Sequence, residues 1–292
     1  MTILYIQQLD DHTLSALDAL LARCQREDGH GISIYRDLIA QHRPTPCTLL
    51  NYTGDKLTGF AAVFFFEHNE AEIALLVDPA YRHQGLGNEL LRTLLTLIQD
   101  ERPVDSICFS TPHGLHNTAL TQRGFQYQSS EYEMQRHSEI PLPMNLPLTV
   151  REASLNDIAV LSSIDNQCFP ASYPYSSDRL YTLLTRPQYT IYLALKDNLI
   201  IGKSHLAWHD PMARLSDIAV VPSMQRQGIG RALITHCLNQ ALLLHRPTVT
   251  LSVETLNQHA LNLYQHLGFT VSSAIDYWSC PFLDLYEHVL PS

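Results

Sequence analysis

The sequence predicts an α/β (α+β) chain made of two tandem domains, each a mixed, mostly antiparallel sheet flanked by helices. Three observations carry that expectation. The segment VDPAYRHQGLGNELL, from Val77 to Leu91, returns 143 residues later as VVPSMQRQGIGRALI, from Val220 to Ile234. Other landmarks keep that offset within one residue: Gly59 and Gly202, Arg102-Pro103 and Arg246-Pro247, Gly124-Phe125 and Gly268-Phe269. Several coincidences at one offset mark a duplicated domain. Second, stretches of helical and of strand period interleave along each half, as in sheets covered by helices. Third, EIPLPMNLP at Glu139 to Pro147 sets three prolines in nine residues, which suits an extended connector. The expected domains are therefore 1–137 and 148–292, joined by a linker at 138–147.

The elements follow in order through the second half. Leu148 to Arg151 reads as a first strand, matching LYIQQL at Leu4 in the first half. Ser154 and Asp157 mark a helix start, and Ile158, Leu161 and Ile164 keep helical spacing. FPASYPYSS, from Phe169 to Ser177, is a proline- and tyrosine-rich loop before a helix at Asp178 to Leu184. Thr190 to Ala194, Asp197-Asn198 and Leu199 to Ala207 read as a hairpin with its turn. Arg214 to Val221 is a strand and Gly228 to Leu244 a helix with an apolar stripe. Thr248 to Val253 is a strand, Gln258 to Leu267 a helix, and a last strand begins at Phe269.

Composition excludes several classes. The 292 residues are 45% hydrophobic, enough for packed cores. The formal charge is -10, with only three lysines: Lys56, Lys196 and Lys203. Residues 1–146 hold 10 basic and 18 acidic side chains, a net of -8, so the acidity sits in the first half. So acidic a chain is a poor partner for nucleic acid or an anionic membrane. No apolar run approaches the ~18 residues of a membrane span and no leader pattern opens the chain, so a cytoplasmic protein is expected. The six scattered cysteines form no CxxC pair and read as free thiols. His205 and His209 fall in a strand, His113 and His116 in a loop, and HExxH is absent, so no metal site is expected.

The chemistry concentrates after the strand ending at Val221. Pro222 leads into Gln225, Arg226, Gln227, Gly228, Ile229 and Gly230, followed at once by Arg231 and a helix. A glycine turn at a helix N-terminus offers unpaired N–H groups and a favourable dipole to an anion. A tight turn alone would also explain the glycines. The run is neither a Walker A motif nor GxGxxG.

The pattern V-x-P-x-x-[QR]-x-x-G-x-G before a helix resembles the acyl-CoA motif of the GNAT family of N-acetyltransferases. Asn257 to Phe269, NQHALNLYQHLGF, resembles that family's second signature, N-x-x-A-x-x-L-Y-x-x-x-G-F. The resemblance covers 148–292 well and 1–137 more loosely, so the whole chain resembles a tandem GNAT protein. It implies acetyl-CoA as cosubstrate and a primary amine, either a small molecule or a peptide N-terminus, as acceptor. Within it, the turn residues would hold the pyrophosphate, while Ile218, Ala219 and Val220 pair with the pantetheine arm. Near Ala219–Val220 a backbone N–H would face the acyl oxygen. Asn257 would contact the same arm or simply cap its helix. In the first half, Leu75, Leu76 and Val77 take the strand role, and Arg82, His83, Gln84, Gly85, Leu86 and Gly87 the turn.

Tyr264 occupies the family's general-acid position, where a phenol protonates the departing thiolate. The matching first-half positions are Leu120 for the tyrosine and His113 for the asparagine. Leucine cannot donate a proton, so the first domain is expected to be degenerate. For the general base, Asp217 and Glu254 are the candidates, Asp217 through a carboxyl raised by burial. In the family's ribosomal-protein acetyltransferases the base lies twelve residues before the tyrosine, which is Ser252 here and cannot serve. Phe169, Tyr173 and Tyr175 are expected to line an aromatic acceptor pocket, with Tyr277-Trp278 at its border. The rival readings are catalysis in both domains, and a non-catalytic acyl-CoA-binding regulator. Oligomeric state stays open.

Overall fold

The computed structural model describes residues 2–66, 69–115, 117–144, 146, 148–169 and 177–289. They form two compact units. Unit one comprises residues 1–132 and 273–292, and unit two residues 133–272. The first repeat supplies β1 (Ile3–Ile6), α1 (Asp11–Asp28), α2 (Arg36–Ile39), β2 (Thr48–Thr53), β3 (Lys56–Phe64) and β4 (Glu70–Val77). It continues with α3 (Leu86–Glu101), β5 (Ser106–Pro112), α4 (Asn117–Gln122) and β6 (Gln126–His137). The second supplies β7 (Thr149–Glu152), α5 (Ile158–Cys168), α6 (Ser177–Thr185), β8 (Tyr189–Lys196), β9 (Leu199–His209) and β10 (Met212–Val220). It ends with α7 (Ile229–Leu243), β11 (Thr248–Glu254), α8 (Gln258–His266), β12 (Thr270–Pro281) and α9 (Phe282–Val289).

The units do not follow the repeat boundary. Strands run β1-β2-β3-β4-β5-β12 and β6-β11-β10-β9-β8-β7; residues 273–281 of β12 fall in unit one, and of β6 residues 126–132 fall in unit one and 133–137 in unit two. The last strand of the second repeat thus joins the first repeat's sheet, and the end of β6 joins the second's. β12 pairs antiparallel with β5 from Ile275↔Pro112 to Pro281↔Ser106. In unit two, Arg136 of β6 donates through Nε to the Leu267 carbonyl at 2.9 Å. The expected second domain, 148–292, is corrected accordingly: residues 273–292, including α9, belong to unit one, and 133–137 to unit two. Tyr277 and Trp278 lie in unit one with them, paired with Ser110 and Phe109 of β5. The connector is fixed where Leu142 exchanges two 2.9 Å hydrogen bonds with the Asn239 side chain of α7.

Local chemistry explains the elements. Asp10 caps α1 by accepting from the Thr13 N–H at 2.8 Å, and Gly29 ends it in the left-handed region. Ser154 and Asp157 form a reciprocal capping box ahead of α5, with Arg151 holding the Asp157 carboxyl below its usual range. Asp197 and Asn198, both at positive φ, make the two-residue turn joining β8 to β9. In α7 the buried Ile229, Leu233, Cys237 and Ala241 keep the spacing of one helical face. Each large apolar side chain there contributes about 1.5–3 kcal/mol by burial.

In both units the strand before the glycine turn pairs in parallel with its downstream neighbour only at its start, among the described residues. β4 meets β5 over Glu70–Ile73, and β10 meets β11 over Met212–Arg214. Beyond those pairs the second halves of β4 and β10 have free edges that can bind an extended ligand.

Candidate active site

The strand β10 carries the site of unit two. Its pairing to β9 shifts register between Ser216 and Ala219, so one extra residue bulges out. Asp217 sits in that bulge with φ at 48°. The bulge turns main-chain groups of Asp217 and Ile218 out of the ladder, one or two residues before the Ala219–Val220 position expected from the motif. Gly202 makes it possible, since a Cβ there would come within 2.8 Å of the Ala219 carbonyl oxygen.

A buried charged chain stands behind the bulge. Lys203 and Asp165 are both fully buried, with Nζ 2.5 Å from Oδ1. Lys203 Nζ also donates to His205 Nε2 at 3.1 Å. An ammonium has no lone pair, so that nitrogen of His205 accepts and its Nδ1–H faces Asp217 Oδ2 at 3.3 Å. Burial pushes His205 below its ordinary range, which keeps the imidazole neutral. Burial alone would raise Asp217. The hydrogen bond from His205 and the charges of Lys203 and Arg179 outweigh it and hold the carboxyl well below the usual range. The expectation of a raised, basic Asp217 is corrected on that ground. Arg179 of α6 lies 3.7 Å away.

The turn after β10 forms as the motif implies. Arg226 is at φ 60° and Gly228 at 81°, where Gly228 is the N-cap of α7. The first N–H groups of α7 have no intrahelical acceptor. Arg226 and Arg231 are exposed and make no ion pair or hydrogen bond among the described residues. Gln225 donates to the Val220 carbonyl at 3.0 Å, bracing the turn on the strand. Gln227 lies 3.4 Å from Lys196 Nζ. Ile229 is buried in the core, so only its backbone can serve a ligand.

Tyr264 of α8 is 8% exposed and packs edge-on against Phe269 with ring centres 6.0 Å apart. Burial pushes its phenol up to about 12. Its hydroxyl has no hydrogen-bond partner among the described residues. Asn257 caps α8 by accepting from the Ala260 N–H at 3.1 Å. Glu254 is the exposed last residue of β11. Phe169 lies under the Lys203 ammonium, 5.8 Å from its ring centre, so it packs on the buried pair. Tyr173 and Tyr175 lie outside the described residues.

One carboxylate escaped the sequence reading. Ser252 donates to Glu133 of β6, and Glu133 pairs with Arg214 of β10 through two 3.0 Å bonds. The hydroxyl at the family's base position thus holds a carboxylate lent by the first repeat. Nothing in the local sequence signals it, because only the strand exchange brings β6 there.

Unit one keeps the turn in altered form. His83 is at φ 61° and Gly85 at 88°, copying Arg226 and Gly228. Arg82, however, is held bidentately by Asp28 at 2.6 and 2.7 Å, so its charge is already matched. Asn88 stands where unit two has Arg231. Gln84 donates to the Ala80 carbonyl, and Leu86 is buried in the core. A cavity of about 480 Å³ opens where β4 and β5 part. Leu75, Leu76, Val77, Gly85 and Gly87 line it, together with Leu120 at the missing tyrosine's position. His113, at the asparagine's position, instead bonds Asp276 of β12 at 2.7 Å.

Comparison with known proteins agrees with this geometry. The acetyltransferase (GNAT) family model matches the chain twice, at residues 14–125 and 158–269. The chain belongs to the GNAT family, in its tandem form, and so to the N-acetyltransferases. It is 24% identical over 284 residues to a mycothiol acetyltransferase of Thermomonospora curvata, covering 92% of this chain and 94% of that one. A local stretch of 57 residues, 20% of this chain and 38% of the relative, is 44% identical to a ribosomal-protein alanine N-acetyltransferase of Escherichia coli. Among solved structures, a GCN5-related N-acetyltransferase from Sphaerobacter thermophilus superposes with a TM-score of 0.77 at 17% identity, over 94% of this chain and 95% of that one. A tandem GNAT protein from the clavulanic acid biosynthesis pathway does so at 0.68 and 13%, over 96% and 98%. These two establish the fold. Among the described residues no helix is long and apolar enough to cross a membrane, and no group of three or more His, Cys, Asp or Glu is placed to hold a metal.

Proposed function

We propose that the protein moves an acetyl group from acetyl-CoA to a primary amine by direct attack, with the chemistry in the C-terminal repeat. The observation that carries this reading is Tyr264, a buried phenol that keeps its proton and has no partner for it. The same repeat holds two unmatched arginines on its glycine turn, whereas Arg82 of the other is spent on Asp28. Arg226, Arg231 and the first N–H groups of α7 suit a pyrophosphate, and the free edge of β10 suits an extended amide arm. Acetyl-CoA supplies the thioester.

The chain's own groups then divide the work. The main-chain N–H groups turned out by the bulge at Asp217 and Ile218 stabilise charge on the acyl oxygen. Asp217, held ionised, orients the acceptor by accepting an N–H hydrogen bond and is too weak a base to take its proton, which is lost to water before the neutral amine attacks. Tyr264, beside the sulfur, gives its proton to the departing thiolate as the C–S bond breaks, and the phenolate, the stronger base, regains one from the nitrogen that becomes the amide. The acceptor is a small-molecule amine or a peptide N-terminus, as the local likeness to an alanine N-acetyltransferase supports.

The test is Tyr264→Phe. Binding of acetyl-CoA should persist while turnover falls about 10²–10⁴-fold. Unchanged turnover would remove Tyr264 from the mechanism. No turnover by the wild type, with acetyl-CoA bound, would favour the regulatory reading.

A further inference from the structure

The glycine turn is built twice in this chain, and one extra turn of helix changes what the first copy can hold. Cys24 of α1 donates to the Val77 carbonyl at 3.4 Å, and Cys168 of α5 to the Val220 carbonyl at 3.3 Å. The two thiols therefore mark one place in the repeated fold. α5 ends at Cys168, whereas α1 runs on for four residues to Asp28. Counted from the cysteines, Asp28 is level with Ser172, which carries no charge. The added turn sets the Asp28 carboxylate against the Arg82 guanidinium, at 2.6 and 2.7 Å. Arg82 spends its remaining direction on the Val77 carbonyl, 3.1 Å from Nε. The Asp28 side chain is 9% exposed, so pulling Arg82 away would strand a carboxylate nearly out of water.

This ion pair is part of the wall of unit one's cavity, whose volume of about 480 Å³ suits a small ligand. His83 and Asn88 take the places of Arg226 and Arg231, so the turn offers a diphosphate no unmatched guanidinium. Arg123, another arginine of the wall, follows α4 and not this turn. A diphosphate at the turn would meet the Asp28 carboxylate, and like charges repel strongly where water is scarce. The rest of the wall suits an uncharged chain. Beyond Ile73 the edge of β4 is not paired with β5 among the described residues, which leaves main-chain N–H and C=O groups for an extended ligand. Thr111 lines the cavity, is 8% exposed, and its hydroxyl has no partner among the described residues. That hydroxyl lacks an acceptor such as an amide carbonyl. Leu75, Leu91, Phe109 and Leu120 supply apolar surface around it.

We propose that Asp28 makes the cavity of unit one a site for an uncharged amide chain and closes it to coenzyme A. The chain lies along Leu75–Val77 and takes the Thr111 hydroxyl on one of its carbonyls. Asp28 occupies the guanidinium that a diphosphate would need and adds a charge that repels it. The inference rests on the reading of unit two as the coenzyme A site, since it assigns the coenzyme to one repeat only.

Calorimetric titrations of coenzyme A and of pantetheine, its uncharged arm, into the full chain test it. The wild type is expected to bind one coenzyme A per chain, weakened at least about tenfold by Arg226→Glu with Arg231→Glu. With coenzyme A saturating, unit two is full, and pantetheine should still bind at one site per chain. Gly87→Glu, which puts a side chain into the cavity, should weaken that binding at least about tenfold. Asp28→Asn should raise coenzyme A to two per chain and leave pantetheine no site in the saturated protein. Two coenzyme A sites in the wild type, a second site not gained by Asp28→Asn, or no pantetheine binding to the saturated chain at about 10 mM would each overturn the proposal. The wild-type titrations decide it alone if either variant folds poorly. Should coenzyme A binding survive the arginine exchanges while pantetheine binding is still lost with Gly87→Glu, the arginine assignment in unit two fails and this proposal stands.

Discussion

Replacing Glu72 by Gln should make the protein more stable at alkaline pH and leave it nearly unchanged at acid pH. Burial first, with Glu70 and Glu131 nearby, lifts the Glu72 carboxyl from an ordinary 4.5 to about 7, against the Tyr35 hydrogen bond. Cys108 and Tyr277 also face it, and both are themselves raised by burial. The folded state therefore holds this proton more tightly than the unfolded chain. That stabilisation is fully present below 4.5 and is lost as pH rises through 7. A shift of that size corresponds to about 3 kcal/mol, of which roughly 2.5 falls between pH 5 and 8.5. Glutamine imitates the protonated carboxyl and removes the loss. Thermal melts of both proteins at the two pH values read the difference. The gain of Glu72→Gln should grow by about 5–10 °C between pH 5 and 8.5, for a unit of this size. A gain independent of pH, or a loss at pH 8.5, would mean that Glu72 is not a buried carboxylate with one oxygen unmatched.

Other substitutions probe unit two. Lys203→Met strands the buried Asp165 carboxylate and should cost about 3–5 kcal/mol, while Lys203→Met with Asp165→Leu should recover most of it, as read by denaturant unfolding. Gly202→Ala drives a Cβ against the Ala219 carbonyl, costing about 1–3 kcal/mol and lowering kcat through the displaced bulge. Arg226→Glu with Arg231→Glu should weaken acetyl-CoA binding at least about tenfold with no change in melting temperature, since neither arginine has a partner to lose. Asp217 contributes in the opposite sense to Glu72. Its carboxyl is held down, so its stabilisation is present above the unfolded value and is lost as pH falls below it, a loss Asp217→Asn should not show.

The repeat and its turn were legible because they rest on local rules. A left-handed glycine before an apolar helix, a capping box and a two-residue hairpin turn each need only neighbours in sequence. The strand exchange was not legible. The alternation in β12 says that one face is buried, but nothing in Thr270–Pro281 says which sheet receives it. That single missing fact hid Glu133 beside Ser252 and moved Tyr277 to unit one. Glu72 did leave a signal, the second of two carboxylates in EAEIALLV, two places from Ala74 on the face turned toward α1. A charge in the apolar middle of a strand that feeds a phosphate turn asks for a reason. The sign of Asp217's shift depends on Lys203 and His205 from β9, a pairing that needs the sheet.

Register places Glu72 and Arg214 at one position of the repeated fold. Five residues on from Gly59, Phe64 faces Glu72; five on from Gly202, Ala207 faces Arg214. Counting back along the partner strand takes five steps from Val77 to Glu72 and six from Val220 to Arg214, the extra step being the bulge. The first repeat therefore sets a carboxylate, and no bulge, where the second sets a guanidinium and a bulge. Arg214 is matched by Glu133, so its charge is spent inside the protein, whereas Glu72 keeps one oxygen unmatched. The two repeats therefore treat the charge at one shared position differently, the second neutralising a guanidinium within the protein and the first burying a carboxylate with one oxygen unmatched.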